Sequence, residues 1–167
     1  TKMMYHYRWY YDGAIDKAGK LLPLQGDLTQ PDDQWHAAND FLTRRQIERR
    51  ALVGSTEQNR PAIEESYVRL LRILEGHLRE RDFLFGDRPS RADFGLHGQL
   101  TQLTWWDPEA VAVAVRESPR VCVWIDRNED LSWWEVDDAG WVTRDAIPAT
   151  VIDLLPVSYT HLTPADD

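Results

Sequence analysis

The stretch FLFGDRPSRADFGLHGQL, residues 83–100, contains the clearest local signal for structure in this chain. Ser90 is followed three positions later by Asp93, and an apolar helical pattern continues from there. This spacing is typical of a capping box, with Asp in the place more often taken by Glu or Gln. The serine hydroxyl accepts a hydrogen bond from the third helical N–H, and the acid bonds back to the N–H of the cap. Leu96 and Leu100 then share one helix face. We predict a helix that begins just after Ser90.

A serine, an acid and a histidine in one stretch also present a catalytic alternative, with Ser90 as nucleophile and His97 as base. The two residues are seven positions apart on the same helix, which separates their side chains by about 10 Å along the axis. A nucleophile and its base need a separation of roughly 3 Å. The sequence therefore favours a structural role for this motif.

Composition and charge exclude several classes of protein. The chain has 167 residues, enough for one domain, and its formal charge of −9 argues against binding to nucleic acids or anionic membranes. No apolar run is long enough to span a membrane. Cys122 is the only cysteine, so an internal disulfide is excluded and a reducing compartment, the cytoplasm, is expected.

Helical periodicity recurs along the chain, whereas alternating strand patterns are few. We predict a first helix over residues 1–22 with apolar and aromatic side chains on two adjoining faces, then a second over about 35–53. Ser55 or Thr56 is expected to cap a third, long helix. Its inward stripe consists of Ile63, Tyr67, Leu70, Leu71, Ile73, Leu74 and Leu78.

The second half of the chain contains three more start signals. Asp107 and Ser118 each stand directly before a proline, the arrangement of a capping residue followed by Pro in the first turn. A last short helix is expected to begin near Asp145. The predicted fold class is therefore all-α, a bundle of five to seven helices.

The order of these motifs resembles the helical C-terminal domain of cytosolic glutathione transferases. In that family an apolar turn with Gly precedes a Ser and an Asp that open a central helix, and a later helix carries the pattern Pro-x-Val-x-x-Trp-x-x-Arg. The matching residues here are Phe83, Leu84, Gly86, Ser90, Asp93, Pro119, Val121, Trp124 and Arg127. The resemblance covers roughly residues 1–155.

This resemblance implies a division of labour between two domains. An N-terminal thioredoxin-like domain, which this chain lacks, binds the co-substrate glutathione and carries the residue that activates its thiol. We therefore assign no catalytic residue in residues 1–155. The resemblance further implies a hydrophobic small-molecule electrophile as second substrate, a homodimer, a cytoplasmic location, and no metal, nucleic-acid or membrane partner.

In the family the first helix of this domain faces the substrate cleft. That helix is rich in polarisable side chains here, so the resemblance implies that a wall for the second substrate is formed by Met4, Tyr5, Arg8, Trp9 and Tyr11. Aromatic residues at helical spacing also pack commonly in cores or at dimer contacts, and this alternative stays open at the level of the sequence.

Other candidate groups give weaker signals. Cys122 is flanked by apolar residues, which favours a buried, unreactive thiol. His6, His77 and His97 lack the spacing of metal ligands, so we predict no metal site. The favoured function is the electrophile-binding domain of a glutathione transferase; the alternative is a non-catalytic, transferase-like binding or assembly module. The nature of the sequence upstream of Thr1 would discriminate between the two.

The ends of the chain do not look natural. It opens on Thr1 inside a helical pattern, and residues 157–167, VSYTHLTPADD, resemble a translated sequencing-library adaptor. We expect an internal fragment in which residues 1–155 form the domain and 156–167 are a non-native tail. The alternative is a natural disordered terminus.

Overall fold

The computed structural model describes the backbone of residues 2–159, and most of this range is helical. The eight α-helices are α1 (Lys2–Trp9), α2 (Asp12–Leu21), α3 (Asp32–Glu48), α4 (Arg60–His77), α5 (Arg91–Thr101), α6 (Pro108–Glu117), α7 (Pro119–Glu129) and α8 (Ala149–Tyr159). A π-helical turn, Gln102–Trp106, joins α5 to α6. Residues 2–159 contain no β-strand, and the predicted all-α class is confirmed. Most of the expected non-native tail lies outside the described residues.

The number of helices exceeds the predicted range because the first segment is two helices rather than one. The chain breaks at Tyr10 and Tyr11, where Tyr11 has extended backbone angles, φ −101° and ψ 135°. No proline marks this point in the sequence. Instead, tertiary contacts stabilise the break: the Tyr11 hydroxyl donates to Glu64, and the guanidinium of Arg60 lies against both tyrosine rings.

The predicted boundaries of the next two helices also shift. Helix α3 starts earlier than residue 35 and ends at Glu48, and Gly54 in the left-handed region, φ 73°, terminates the turn that follows. Helix α4 begins only at Arg60, so neither Ser55 nor Thr56 is its cap. The Thr56 hydroxyl accepts the N–H of Asn59 in the preceding turn. Ser55 is buried against another helix, which makes its hydroxyl unavailable for capping.

Helix α4 is the centre of the bundle and packs against α1, α6, α7 and α8. Four residues of its predicted stripe, Ile63, Tyr67, Leu71 and Leu74, are less than 5% exposed. Leu70 and Leu78 are partly buried against the core, whereas Ile73 is half-buried outside it. The hydroxyl of Tyr67 lies 3.2 Å from the carbonyl oxygen of Leu103 and 3.3 Å from that of Ala110. A buried hydroxyl with such partners avoids the cost of an unsatisfied polar group.

The capping box at α5 has the geometry that its sequence predicts. The Ser90 hydroxyl accepts the N–H of Asp93, while Asp93 Oδ2 accepts the N–H of Ser90 at 2.8 Å. The second carboxylate oxygen, Oδ1, accepts the N–H of Leu84 at 2.8 Å, so the fully buried Asp93 also fixes the preceding turn. In that turn Gly86 has φ 123°, and a Cβ there would lie 2.1 Å from the carbonyl oxygen of Gly140. This close approach of two backbones requires glycine.

The last predicted helix start is displaced. Near Asp145 the chain forms only a short 3₁₀ turn, Arg144–Ala146, and α8 begins at Ala149. Its position is set by α4, because Thr150 Oγ1 lies 2.7 Å from His77 Nδ1. The other ring nitrogen of His77, Nε2, lies 3.0 Å from the carbonyl oxygen of Phe83 and must donate to it. His77 thus connects α4 both to Thr150 at the start of α8 and to the turn at Phe83.

Candidate functional site

The five side chains expected to form a substrate wall do not share one face. Met4, Tyr5 and Arg8 are half-buried and lie on one side of α1, since positions 4 and 8 are one turn apart and position 5 is adjacent. Trp9 is 3% exposed, which leaves almost none of its ring for a ligand. Tyr11 lies beyond the helix break and its ring stacks on that of Tyr7, with centroids 5.7 Å apart. Three of the five residues thus lie on the same half-buried side of α1, and Met4 also packs against the hydrophobic core.

Tyr5 is held in place by α3. Its hydroxyl donates to Gln46, with the carbonyl oxygen at 2.7 Å and Oε1 at 2.9 Å. Burial raises the pKa of the Tyr5 phenol, although the nearby Arg49 and Arg45 act in the opposite direction. The phenol therefore stays protonated at neutral pH. With its polar end bonded to Gln46, the neutral ring of Tyr5 has a defined orientation on this side of α1.

Arg8 belongs to a buried ion pair that the sequence did not indicate. Its Nε lies 3.0 Å from Asp107 Oδ1 and its Nη2 lies 3.2 Å from Oδ2, a two-pronged arrangement. Nη2 also donates to Gln102 Oε1 at 2.7 Å, and the guanidinium lies 4.3 Å from the ring centroid of Trp106. Asp107 is fully buried, and burial raises the pKa of its carboxyl while the bonds from Arg8 oppose that rise. The positive charge of Arg8 is therefore largely neutralised by Asp107 within the protein.

Asp107 does not act as the sequence predicts. It occupies the residue before α6, but its side chain makes no capping hydrogen bond, because the carboxylate is turned toward Arg8. Ser118 does cap α7, accepting the N–H of Val121 at 3.3 Å. The two Asp-Pro and Ser-Pro signals look alike in sequence, and only the position of α1 distinguishes them. The Arg8–Asp107 pair joins α1 to the start of α6 across 99 residues of chain.

A second polar cluster lies on the opposite side of α1, and little in the sequence indicates it. His6 is fully buried, its Nδ1 lies 2.8 Å from Ser55 Oγ, and its ring packs on Tyr10 with centroids 4.5 Å apart. His6 Nε2 lies 3.8 Å from Glu64 Oε1, too far for a hydrogen bond. Burial lowers the pKa of His6, although Glu64 acts against this shift, so the ring is neutral at physiological pH.

Glu64 is the acidic member of this cluster. It accepts hydrogen bonds from the Tyr11 hydroxyl and, at 2.7 Å, from Arg60 Nε. Burial raises the pKa of the Glu64 carboxyl, but the hydrogen bonds from Tyr11 and Arg60 outweigh that effect and bring it below its ordinary value. The i,i+4 spacing of Arg60 and Glu64 is the one part of this cluster that is visible in the sequence.

The order Ser55–His6–Glu64 has the composition of a hydrolytic triad, but its geometry does not support catalysis. Ser55 is 1% exposed and His6 is fully buried, so a substrate has no access to the hydroxyl. The acid is engaged by Tyr11 and Arg60 rather than by the imidazole. We interpret the cluster as a structural link between α1 and α4.

Cys122 and His97 show no reactive arrangement. Burial raises the pKa of the Cys122 thiol, which therefore stays protonated at neutral pH. His97 Nε2 lies 3.5 Å from Glu129 Oε2. Among the described residues no three His, Cys, Asp or Glu side chains are grouped so as to hold a metal ion. No helix between residues 2 and 159 has the length and hydropathy needed to cross a bilayer.

Comparison with known proteins identifies one family. The family model described as "Glutathione S-transferase, C-terminal domain" matches residues 43–131, slightly more than half of the chain. This span contains α4 to α7 and the capping box of α5. No curated protein and no solved structure matches the chain.

Proposed function

The chain belongs to the family of glutathione S-transferase C-terminal domains, and from that premise we propose that it forms the electrophile-binding part of a glutathione transferase. In this proposal an N-terminal thioredoxin-like domain of the same protein binds glutathione and activates its thiol. The thiolate attacks an electrophilic atom of the second substrate, and the leaving group departs with the bonding electrons. The residues of this chain bind and orient that second substrate.

The observation that supports the proposal is the half-buried surface formed by Met4, Tyr5 and Arg8. The thioether of Met4 adapts to ligands of different shapes, and the ring of Tyr5 provides a flat, polarisable face. Arg8, held by Asp107, contributes its planar edge and the aliphatic part of its side chain rather than a free charge. Such a surface favours an apolar, aromatic electrophile. Holding it near a bound thiolate lowers the entropic part of the barrier.

Three further features belong to the proposal. We propose a homodimer in the cytoplasm, as is general in the family. Glutathione is the co-substrate, and the reaction uses no metal ion. Because the thiol-activating residue would lie in the other domain, the 167-residue chain by itself is expected to be helical by circular dichroism and inactive as a transferase.

The first test measures binding of an unreactive nitroaromatic, 2,4-dinitrotoluene, to the 167-residue chain by quenching of tryptophan fluorescence. Tyr5→Ala removes an aromatic ring from the proposed surface and is expected to weaken binding about tenfold, the value of one aromatic contact. Phe41→Ala is the matched control, because Phe41 is an aromatic residue of α3 that is 66% exposed. Equal affinities for the wild type and Tyr5→Ala would contradict the proposed surface.

The second test reads the sequence upstream of Thr1 at the same locus and expresses the longer chain. A thioredoxin-like domain with conjugating activity toward 1-chloro-2,4-dinitrobenzene and glutathione is expected. Tyr5→Ala should then raise KM for the electrophile and leave KM for glutathione unchanged. A longer chain that folds but has no such activity would favour the non-catalytic module instead.

A further inference from the structure

A pocket of about 340 Å³ lies between the C-terminal end of α4 and the start of α8, and both His77 and Thr150 line it. Thr150 Oγ1 lies 2.7 Å from His77 Nδ1, within the reach that a nucleophile and its general base need. Thr150 is half-buried, whereas Ser55, the hydroxyl partner of His6, is only 1% exposed. Thr150 thus has a base at hydrogen-bond distance and an open space beside it.

The second ring nitrogen of His77 sets the direction in which a proton can move. Nε2 lies 3.0 Å from the carbonyl oxygen of Phe83. Because a carbonyl oxygen only accepts hydrogen bonds, Nε2 donates, and in the imidazole form the free lone pair is on Nδ1. Nδ1 then accepts from the Thr150 hydroxyl, as a general base must. His77 is 3% exposed, so its ring is held between these two partners.

Helix α8 places hydrogen-bond donors next to the same hydroxyl. Thr150 is the second residue of this helix, which begins at Ala149. N–H groups in the first turn of a helix have no partner within the helix. Those of Ala149 and Thr150 have no other partner among the described residues. Free N–H groups in this position stabilise an oxyanion that forms beside them.

The shape of the pocket limits the size of its ligand. Its volume is at the lower end of the range for small-molecule sites, 300–1,000 Å³. One side is apolar, with Pro148 and Ala149, and the edge carries the ion pair of Glu80 and Arg81. Gly76 also lines the pocket, and a Cβ at this position would meet nothing within 4 Å. The pocket therefore accommodates a short acyl group rather than a long chain.

From these contacts we propose that Thr150 and His77 form a second site, which hydrolyses small esters without glutathione. His77 Nδ1 takes the proton of Thr150 Oγ1 as this oxygen attacks the ester carbonyl, and the N–H groups at the start of α8 bind the oxyanion. The ester C–O bond then breaks, and the alcohol leaves with the proton from Nδ1. In the second half Nδ1 takes a proton from water, whose oxygen attacks the acyl carbon. Thr150 Oγ1 departs with that proton, and the acid is released.

The test follows the release of 4-nitrophenolate from 4-nitrophenyl acetate by the 167-residue chain in the absence of glutathione. Thr150→Val keeps the shape of the side chain but removes the nucleophile, and should lower the rate about a hundredfold or more. Thr150→Ser keeps a hydroxyl beside His77 and should retain activity, which a merely structural contact does not require. Peptide mapping by mass spectrometry should find an acetyl group at position 150 in the wild type and none there in Thr150→Val.

A second pair of variants blocks the pocket without changing either reacting side chain. Gly76→Leu places a side chain in the open space and should prevent acetylation of Thr150. Gly98→Leu on α5 is the matched control, because Gly98 is also an exposed helical glycine whose Cβ would meet nothing within 4 Å. Circular dichroism and urea unfolding establish that each variant is folded.

Three results would overturn the proposal. They are a wild-type rate no higher than that of buffer, a rate that Thr150→Val leaves unchanged, and equal effects of Gly76→Leu and Gly98→Leu. The site shares no residue with the surface of Met4, Tyr5 and Arg8, and its assay contains no glutathione. Its failure therefore leaves the proposed transferase function standing.

Discussion

Replacing Arg8 by Met tests the buried ion pair with Asp107. Methionine keeps most of the volume of the arginine stem but leaves the fully buried Asp107 without its two-pronged partner. Breaking a buried pair by removing one member typically costs about 3–5 kcal/mol. The side chain of Arg8 is only 11% exposed, so screening by solvent reduces this figure little.

The pH dependence of this cost follows from the carboxyl group. Without Arg8, Asp107 avoids a buried charge by binding a proton in the folded state. Protonating an ordinary Asp, with pKa about 3.9, costs about 4 kcal/mol at pH 7 and about 1.5 kcal/mol at pH 5. The folded-state pKa of Asp107 is already raised by burial, and Arg8→Met raises it further. A raised carboxyl pKa means that relative stability increases as pH falls, and this increase is larger for the variant than for the wild type, so the penalty should shrink by at most about 2.5 kcal/mol between pH 7 and pH 5.

Urea unfolding followed by circular dichroism at both pH values measures this difference, with the slope m compared between variants. In the double variant Arg8→Met with Asp107→Asn the carboxylate at position 107 is absent, so the extra pH dependence of stability shown by Arg8→Met should be lost. Lys20→Met breaks the exposed pair with Asp16, in which both side chains are more than half exposed, and should cost less than about 1 kcal/mol at either pH. The reasoning fails if Arg8→Met costs less than about 1 kcal/mol at pH 7, or the same at both pH values.

Three further predictions concern single residues. Asp93→Ala should lower the free energy of unfolding by about 2–4 kcal/mol, because it removes the acid of the capping box and also leaves the buried N–H of Leu84 unsatisfied. Ser90→Ala should cost less, roughly 1 kcal/mol. Thermal unfolding measures both variants, and equal losses would contradict this prediction. His6 has a depressed pKa in the folded state, so it contributes stability above pH 6.5 that is lost as pH falls through the folded pKa. His6→Gln should therefore reduce the loss of unfolding free energy, measured with urea, between pH 7 and pH 5. The same loss in the variant and the wild type would argue against a neutral, buried His6. Gly86→Ala should detach the segment around Gly140, since the new Cβ would lie 2.1 Å from its carbonyl oxygen; hydrogen exchange at the Asp87 amide, which donates to that oxygen, should accelerate, and unchanged protection would refute the close approach.

The sequence by itself determined the features that depend on residues within one or two helical turns. The capping box of Ser90 and Asp93, the inward stripe of α4 and the cap at Ser118 all involve partners three or four positions apart. Their geometry follows from the helical repeat and the positions of backbone N–H groups, so the pattern in the chain contains the whole interaction. The all-α class follows from the same local periodicity.

Only the tertiary structure decided how the surfaces of α1 are used. Arg8 pairs with Asp107, which is 99 positions away in the sequence, and His6 contacts Ser55, which is 49 positions away. No local sequence pattern predicts either pair. These partners remove Asp107 and Ser55 from the caps that their sequence context suggests. The buried carboxylate and imidazole must be paired where they lie, and that requirement outweighs the smaller gain of a local hydrogen bond. The path of the chain at Tyr10 and Tyr11 is set in the same way, by partners on α4 rather than by the intrinsic preference of the segment.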